Sequence, residues 1–319
     1  MKKEVETFGH LRTFVLFVMV LHSTLSQSIC AGTEVIGDHV FWQAHRGGGA
    51  KEAPDNTMAA FTYTWNLGGI PEADIRTTKD GVIICLHDHT LARTTTAPKE
   101  LRKTNVNDLT FKEIRKWDAG VKFRDKFKGE QVPSLEEVFG KMKGNPERQV
   151  YLDIKDIDLK MLGRLISKYA VNKQVLIASP RQSDCRTLKK ITENLRTMIW
   201  IGGSSNGIKS KFAKIVESGF DGVDQVQLHL NDKKDKSPFR YQLGPDFLKQ
   251  ALQASHEADI DLEVFPFKFD EASLHVLLDI GIRWFVTDEP KRFKETLLEW
   301  QQKRTAQPDA AADADKPRR

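Results

Sequence analysis

From about residue 40 to residue 304, short β-rich runs alternate with helical patterns, and this alternation constrains the fold more than any other feature of the chain. Strand patterns lie at 40–45, 70–76, 82–87, 149–155, 174–179, 197–201, 220–228, 260–267 and 283–287. Between them the apolar spacing turns helical. Over 158–170, Leu159, Leu162, Leu165, Ile166 and Tyr169 share one face, and over 244–259, Phe247, Leu248, Ala251 and Leu252 do the same. Ser134 and Glu137 are spaced as a capping box that opens a helix over 134–143. Repeated βα units with about eight strands over some 250 residues predict a TIM (β/α)8 barrel spanning 40–304. The other fold built from such units, a doubly wound open sheet, carries a Gly-x-Gly-x-x-Gly turn that Gly47-Gly48-Gly49 does not supply. Residues 90–133, basic and Thr-rich, are too long for an ordinary βα loop and predict a small inserted subdomain.

Outside the barrel, the two ends have their own character. Lys2, Lys3 and Arg12 precede an apolar run of eight residues, Phe14 to Leu21, which is followed by small residues at Ser26, Ser28 and Ala31. Residues 1–31 are therefore expected to be a signal peptide, and the product to be exported, periplasmic or secreted. The run is too short to span a bilayer, so no stable membrane span is expected after cleavage. Residues 305–319 have almost no apolar bulk and are expected to be a disordered tail. Lys and Arg number 49 against 44 Asp and Glu, an excess too small and too dispersed for a nucleic-acid partner. Of the three cysteines, Cys30, Cys85 and Cys185, the last two remain after cleavage, and an oxidising compartment would allow them to pair.

The chemistry concentrates in EADIRTTKDGVIICLHDH, residues 72–89. Glu72 and Asp74 are two apart in a strand and project from one face. Asp80-Gly81 between two β-rich runs signals a hairpin. With those two residues as the loop, His87 faces Asp74; with Lys79-Asp80 as the loop, it faces Glu72. Either register gathers two carboxylates and an imidazole. Such carboxylates suit a hard divalent cation, Mg²⁺ or Ca²⁺; they equally suit solvated ion pairs with Arg76 or Lys79. In QVYLDIK, Asp153 and Lys155 repeat the spacing at a strand end, where barrel active sites gather. Asp153 could complete a metal shell and Lys155 meet a phosphate oxygen as a point charge. The first strand ends in His45-Arg46-Gly47-Gly48, an imidazole and a planar guanidinium suited to an anionic, oxygen-rich substrate.

Together HRGGGAKEAPDNT, EADIRTTKDGVIICLHDHTLARTT, DLTFKEIRKWDAGVKFRDKFKGEQVPSLEEV, VYLDIK and WFVTDEP resemble the glycerophosphodiester phosphodiesterase family over most of residues 43–290. The resemblance implies a TIM barrel with an insertion after the His-Asp motif. It also implies metal-dependent hydrolysis of a small-molecule glycerophosphodiester to glycerol phosphate and an alcohol. His45 and His87 become the general acid/base pair, Glu72, Asp74 and Asp153 the metal ligands, and Arg46 and Lys155 the phosphate binders. Four places depart from the family pattern: Asp55 and Asp153 stand where Glu is usual, Ala92 where an acid is usual, and LEVFPF where Trp-Thr-Val is usual. Asp88 and His89 are expected to shape the turn after His87, where Asp88 could also orient an imidazole; Asp288 is expected at a strand end behind the site, Phe265 and Trp284 as pocket wall or core, and 202–207 (GGSSNG) as a flexible loop. Two other outcomes are a lipid-directed relative and a barrel that binds phosphodiesters without cleaving them.

Overall fold

The computed structural model describes residues 39–305, Lys236 excepted. Nine strands run in chain order: β1 Phe41–Ala44, β2 Ile70–Thr77, β3 Ile83–Cys85, β4 Val150–Asp156, β5 Val175–Ser179, β6 Arg196–Ile201, β7 Gln225–Leu230, β8 Asp261–Pro266 and β9 Trp284–Thr287. Eight are parallel and close on themselves, because β1 pairs with both β9 and β2. The ninth, β3, lies antiparallel on β2. β1 pairs with β2 only at Ile70 and Pro71, and β3 takes the edge that β1 leaves free, from Ile75 to Thr77. The fold is the expected TIM barrel. The proposed signal segment at 1–31 and the tail from 306 onward lie outside the described residues, and the last helix runs to Thr305, one residue into the expected tail.

Helices cover the barrel because their apolar stripes have nowhere else to be buried. In Leu159–Tyr169, Leu162 and Ile166 face the sheet, and the Asp158 side chain caps the start by accepting from the Lys160 and Met161 N–H groups. In Leu135–Met142 the capping box between Ser134 and Glu137 is complete, and Leu135, Val138, Phe139 and Met142 are buried. Each such side chain stabilises the packing by roughly 1.5–3 kcal/mol. Along β7, Val226, Leu228 and Leu230 pack outward against helices while Gln225, Gln227 and His229 turn inward, the period-two pattern of a strand. Inward polar groups pair with one another: Gln43 and Gln227 both donate to Glu263 Oε2 at 2.7 Å, and Tyr151 Oη donates to Gln225 at 2.8 Å.

Residues 90–133 form turns, three short 3-10 helices and a one-turn α-helix, Phe111–Ile114, over a small core of their own that includes Leu91, Val106, Leu109, Ile114 and Val132. That core reaches the barrel through Ile84 and Leu86. Asp118 fastens the following loop by accepting from the N–H groups of Gly120, Val121 and Gly129.

Several sequence expectations need correction. The hairpin has neither predicted register: Thr77 pairs with Ile83 and Ile75 with Cys85, around the three-residue loop Lys79–Gly81. The Gly81 N–H bonds back to the Thr78 carbonyl, which closes a loop one residue longer than predicted. The strand pattern at 220–228 begins only at Gln225, because Phe220 and Gly222 adopt positive φ in a turn. Residues 205–207 are not loop but the first turn of helix Ser205–Glu217, where the Ser204 hydroxyl accepts from the Gly207 N–H. Cys85 and Cys185 are both buried free thiols, so the pairing that export would allow is not formed.

Candidate active site

The barrel's C-terminal mouth opens on a cavity of about 250 Å³ lined by His45, Arg46, Glu72, His87, Asp153, Lys155, Trp200, His229, Phe265 and Phe267, among others. Strand order divides its wall. The charged groups come from the turn after β1, from β2, from the turn after β3 and from β4, and the aromatic groups from β6, from β7 and from the end of β8 and the residue after it.

Glu72 and Asp74 project inward from β2, and the β2–β4 register sets Asp74 beside Asp153. Ligand oxygens of Glu72, Asp74 and Asp153 lie within 4.8 Å of one another, and all three residues are buried. Lys155 is the cation among them, with Nζ 2.6 Å from Asp153 Oδ2 and 3.0 Å from Asp74 Oδ1. Asn56 clamps Asp74 from behind: its Nδ2 donates to Oδ2 at 2.7 Å, and its Oδ1 accepts from the Asp74 N–H at 2.9 Å. The Trp200 indole N–H donates to Asp153 Oδ1 at 3.3 Å.

One ammonium does not balance three buried carboxylates. Burial and the neighbouring Asp74 push the Glu72 carboxyl up to about 8, and burial, opposed by Lys155, pushes Asp153 up to about 6. Asp74 goes the other way: burial would raise it, but Lys155, His87 and His45 together hold it below the usual range. Its Oδ1 is buried and accepts no hydrogen bond despite the adjacent ammonium. An all-oxygen donor set, short of positive charge and with an unsatisfied buried oxygen, fits a hard divalent cation.

The first strand delivers its two groups through a strained turn. Arg46 sits at φ 55°, in the left-handed region, which costs a non-glycine residue about 1–2 kcal/mol. The strain is held from both sides: the Arg46 N–H donates to the Glu72 carboxylate, and its carbonyl accepts from the Asn56 N–H at 2.8 Å. Gly47 follows at φ 89°, and a Cβ there would stand 2.6 Å from the Phe61 ring. The turn thereby exposes both His45 and Arg46 to the cavity.

His87 reaches the same cavity although the pairing register would turn it away. The strand ends at Cys85 with one further cross-strand bond, from the Leu86 N–H to the Asp74 carbonyl, and the Arg76 guanidinium gathers the His87 carbonyl with two hydrogen bonds at 3.0 and 2.8 Å. Each imidazole has a carboxylate on Nδ1: Asp288 Oδ1 at 2.8 Å from His45 and Asp88 Oδ1 at 2.8 Å from His87. Burial is the largest influence on both rings and lowers both. On His45, Asp288 and then Glu72 overcome it, so the ring is held above its ordinary value. On His87 burial prevails over Asp74 and Asp88, so the ring is held below. Asp88 is itself pulled down to about 2: burial would raise it, but bonds from Arg93 and His87 outweigh that. An ionised Asp88 accepts from Nδ1–H and leaves Nε2 as the basic atom.

A family model described as the glycerophosphoryl diester phosphodiesterase family matches residues 45–292. The chain belongs to that family. Membership places it among the glycerophosphodiester phosphodiesterases, which are phosphoric diester hydrolases. A glycerophosphodiester phosphodiesterase of Caldanaerobacter subterraneus is 29% identical over 265 residues, covering 80% of this chain and 95% of the relative. A glycerophosphodiester phosphodiesterase of Agrobacterium tumefaciens superposes with a TM-score of 0.64 at 23% identity, covering 80% of this chain and 99% of that one. An Oleispira antarctica phosphodiesterase, solved in complex with the product sn-glycerol-3-phosphate, superposes with a TM-score of 0.61 at 16% identity, covering 81% and 96%.

All seven residues singled out in this family member's sequence converge: six line the cavity, and Asp74 lies behind Glu72 and Asp153 within the carboxylate cluster. Of the lesser candidates, Asp88 and Asp288 orient imidazoles, and Phe265 lies against His45 with ring centroids 5.0 Å apart. Trp284 is not in the cavity; it stacks on Phe41 at 4.2 Å. Sequence reasoning missed Asn56, Arg93, Trp200, His229 and Phe267, and placed Arg76 against the carboxylates where the structure has it on the His87 carbonyl. For His229 a signal existed, since the alternation of QVQLHL puts it on the face of Gln225 and Gln227. Burial pushes that ring down to about 4, so it is neutral and belongs to the aromatic wall, stacked on Trp200 at 5.4 Å.

Proposed function

We propose that this chain hydrolyses glycerophosphodiesters to glycerol phosphate and an alcohol by general acid/base catalysis between His87 and His45. The observation that carries this reading is that two carboxylate-backed imidazoles open on one cavity whose wall also holds Glu72, Asp153, Arg46 and Lys155. Arg46 and Lys155 bind the phosphoryl oxygens, Arg46 with a planar donor fork and Lys155 as a point charge. His87, held below its ordinary value, is neutral near pH 7 and through Nε2 removes a proton from the attacking oxygen, either of water directly or of the substrate's neighbouring hydroxyl, in which case a water then opens the cyclic phosphate to give glycerol phosphate. His45, held above its ordinary value, is the protonated partner and gives its proton to the leaving alkoxide as the phosphorus–oxygen bond breaks. Glu72, Asp74 and Asp153 would hold a divalent cation, Mg²⁺ or Ca²⁺, which supplies positive charge against the charge that grows on the phosphoryl oxygens. The product complex of the Oleispira relative supports glycerol phosphate as the retained half.

The N-terminal pattern of Lys2, Lys3 and the apolar run supports action outside the cytoplasm. Among the described residues no helix is long and apolar enough to cross a membrane. A panel of glycerophosphodiesters assayed with each cation tests the function. Release of glycerol phosphate well above the His45→Ala/His87→Ala double variant is expected, and equal rates would overturn the proposal.

A further inference from the structure

We propose that Arg93, carried by the inserted segment, is a positioning residue that holds Arg46 and His87 in register with each other. The proposal rests on the roles given to those two residues above. Arg93 uses all three of its guanidinium nitrogens. Nε and Nη2 grip Asp88 at 2.8 and 3.0 Å, and Nη1 reaches Asp55 at 2.6 Å. Each of those acids holds a functional group in turn: Asp88 accepts from His87 Nδ1 at 2.8 Å, and Asp55 accepts from Arg46 Nη1 at 3.0 Å.

The result is a chain of alternating donors and acceptors, Arg46–Asp55–Arg93–Asp88–His87, with a substrate-facing group at each end. Arg93, Asp55 and Asp88 do not line the cavity; Arg46 and His87 do. Arg93 therefore acts through its partners and not by touching substrate. Asp55 is the acceptor shared by the two guanidinium groups, and its side chain is only 9% exposed, so it is shielded from the water that weakens surface pairs. A planar fork can grip one carboxylate with two nitrogens and reach a second with the third; a lysine ammonium has no such geometry.

The arrangement gives the insertion a task. Arg46 and His87 arrive from different β-segments separated by 40 residues of chain, and the bridge is built from residue 93, just inside the inserted segment. The shorter acid at 55 sets the length of this bridge: its single Oδ2 accepts from both Arg46 and Arg93.

The test is Arg93→Ala and Arg93→Lys in the full chain. Misplacing reacting groups by about 1 Å costs about 100-fold in rate, so Arg93→Ala is expected to lower kcat/KM by about that factor, with kcat falling through His87 and KM rising through Arg46. Free methylguanidinium should restore part of the loss in Arg93→Ala and change nothing in the unsubstituted enzyme, which a merely misfolded variant would not show. Arg93→Lys should fall between the two. In an Arg46→Ala background the KM effect of Arg93→Ala should vanish, because neighbours in one network are not additive. A persisting KM effect there would mean that Arg93 touches substrate itself, and would overturn the proposal, as would unchanged kcat and KM in Arg93→Ala. If the unsubstituted chain cleaves no glycerophosphodiester, the functional reading fails by itself. The bridge is still decided by ¹⁵N NMR of His87, whose Nδ1–H signal should be lost or broadened in Arg93→Ala, and whose persistence would refute it.

Discussion

Replacing Glu72 by Gln should abolish turnover and yet stabilise the cation-free protein. The Glu72 carboxyl is held at about 8 against an ordinary 4.5 by burial and by Asp74. Between those values the folded chain retains a proton that the unfolded chain releases, so stability falls as pH rises through that window. Each pH unit is worth about 1.4 kcal/mol, so from pH 5 to pH 7 this one group removes about 3 kcal/mol from the folded state. Gln keeps an oxygen to accept from the Arg46 N–H and carries no charge, so the loss disappears. Urea unfolding in excess chelator at pH 5 and pH 7 measures both forms. The native chain should lose stability between the two values, and Glu72→Gln should lose about 3 kcal/mol less. With Mg²⁺ or Ca²⁺ at about 100 times its dissociation constant, the native chain should regain about 2.7 kcal/mol and the variant far less. A Glu72→Gln protein that is less stable than the native chain in chelator at pH 7 would refute the idea that the carboxylates are held together against their own repulsion.

Other expectations follow from the same geometry. His45→Ala and His87→Ala should each lower kcat by about 10²–10⁴-fold with circular dichroism unchanged. The pH–rate profile should be bell-shaped, with His87 setting the acid limb and His45 the alkaline limb. Asp288→Asn removes the anion that raises His45, and should shift the alkaline limb to lower pH; a shift upward would reject the assignment. Chelation should abolish turnover, and restoring one divalent cation should recover it; full activity in excess chelator would remove the metal from the mechanism. Ser134→Ala, which removes one helix cap outside the cavity lining, should cost about 1 kcal/mol of stability and leave kcat intact.

What the sequence made legible followed from local periodicity. Alternating β and helical patterns specify a barrel because each unit has one apolar face to bury, and the period of two puts Glu72 and Asp74 together without reference to any other segment. Asp153 could be placed near them only as a strand-end residue. Its position beside Asp74 depends on the β2–β4 register, across 79 residues, which no local pattern encodes. The hairpin shows the limit most clearly. Strict two-residue loops predicted that His87 faces one of the acids, whereas the structure uses a three-residue loop and recovers the imidazole by ending the strand at Cys85 and bonding its carbonyl to Arg76. Arg93 reaches Asp55, and Trp200 and Phe267 both pack on His229, partners about 30–40 residues away in sequence, so composition and spacing are silent about these roles.

The proposed mechanism requires His45, His87, Arg46, Lys155 and the three acids to surround a single phosphorus. A crystal structure of the chain soaked with glycerol phosphate and Mg²⁺ or Ca²⁺ measures this directly. The phosphoryl oxygens should lie within hydrogen-bond reach of both imidazole Nε2 atoms and of Arg46 and Lys155, with the cation on Glu72, Asp74 and Asp153. Glycerol phosphate bound away from either histidine, or a cation seated elsewhere, would contradict it.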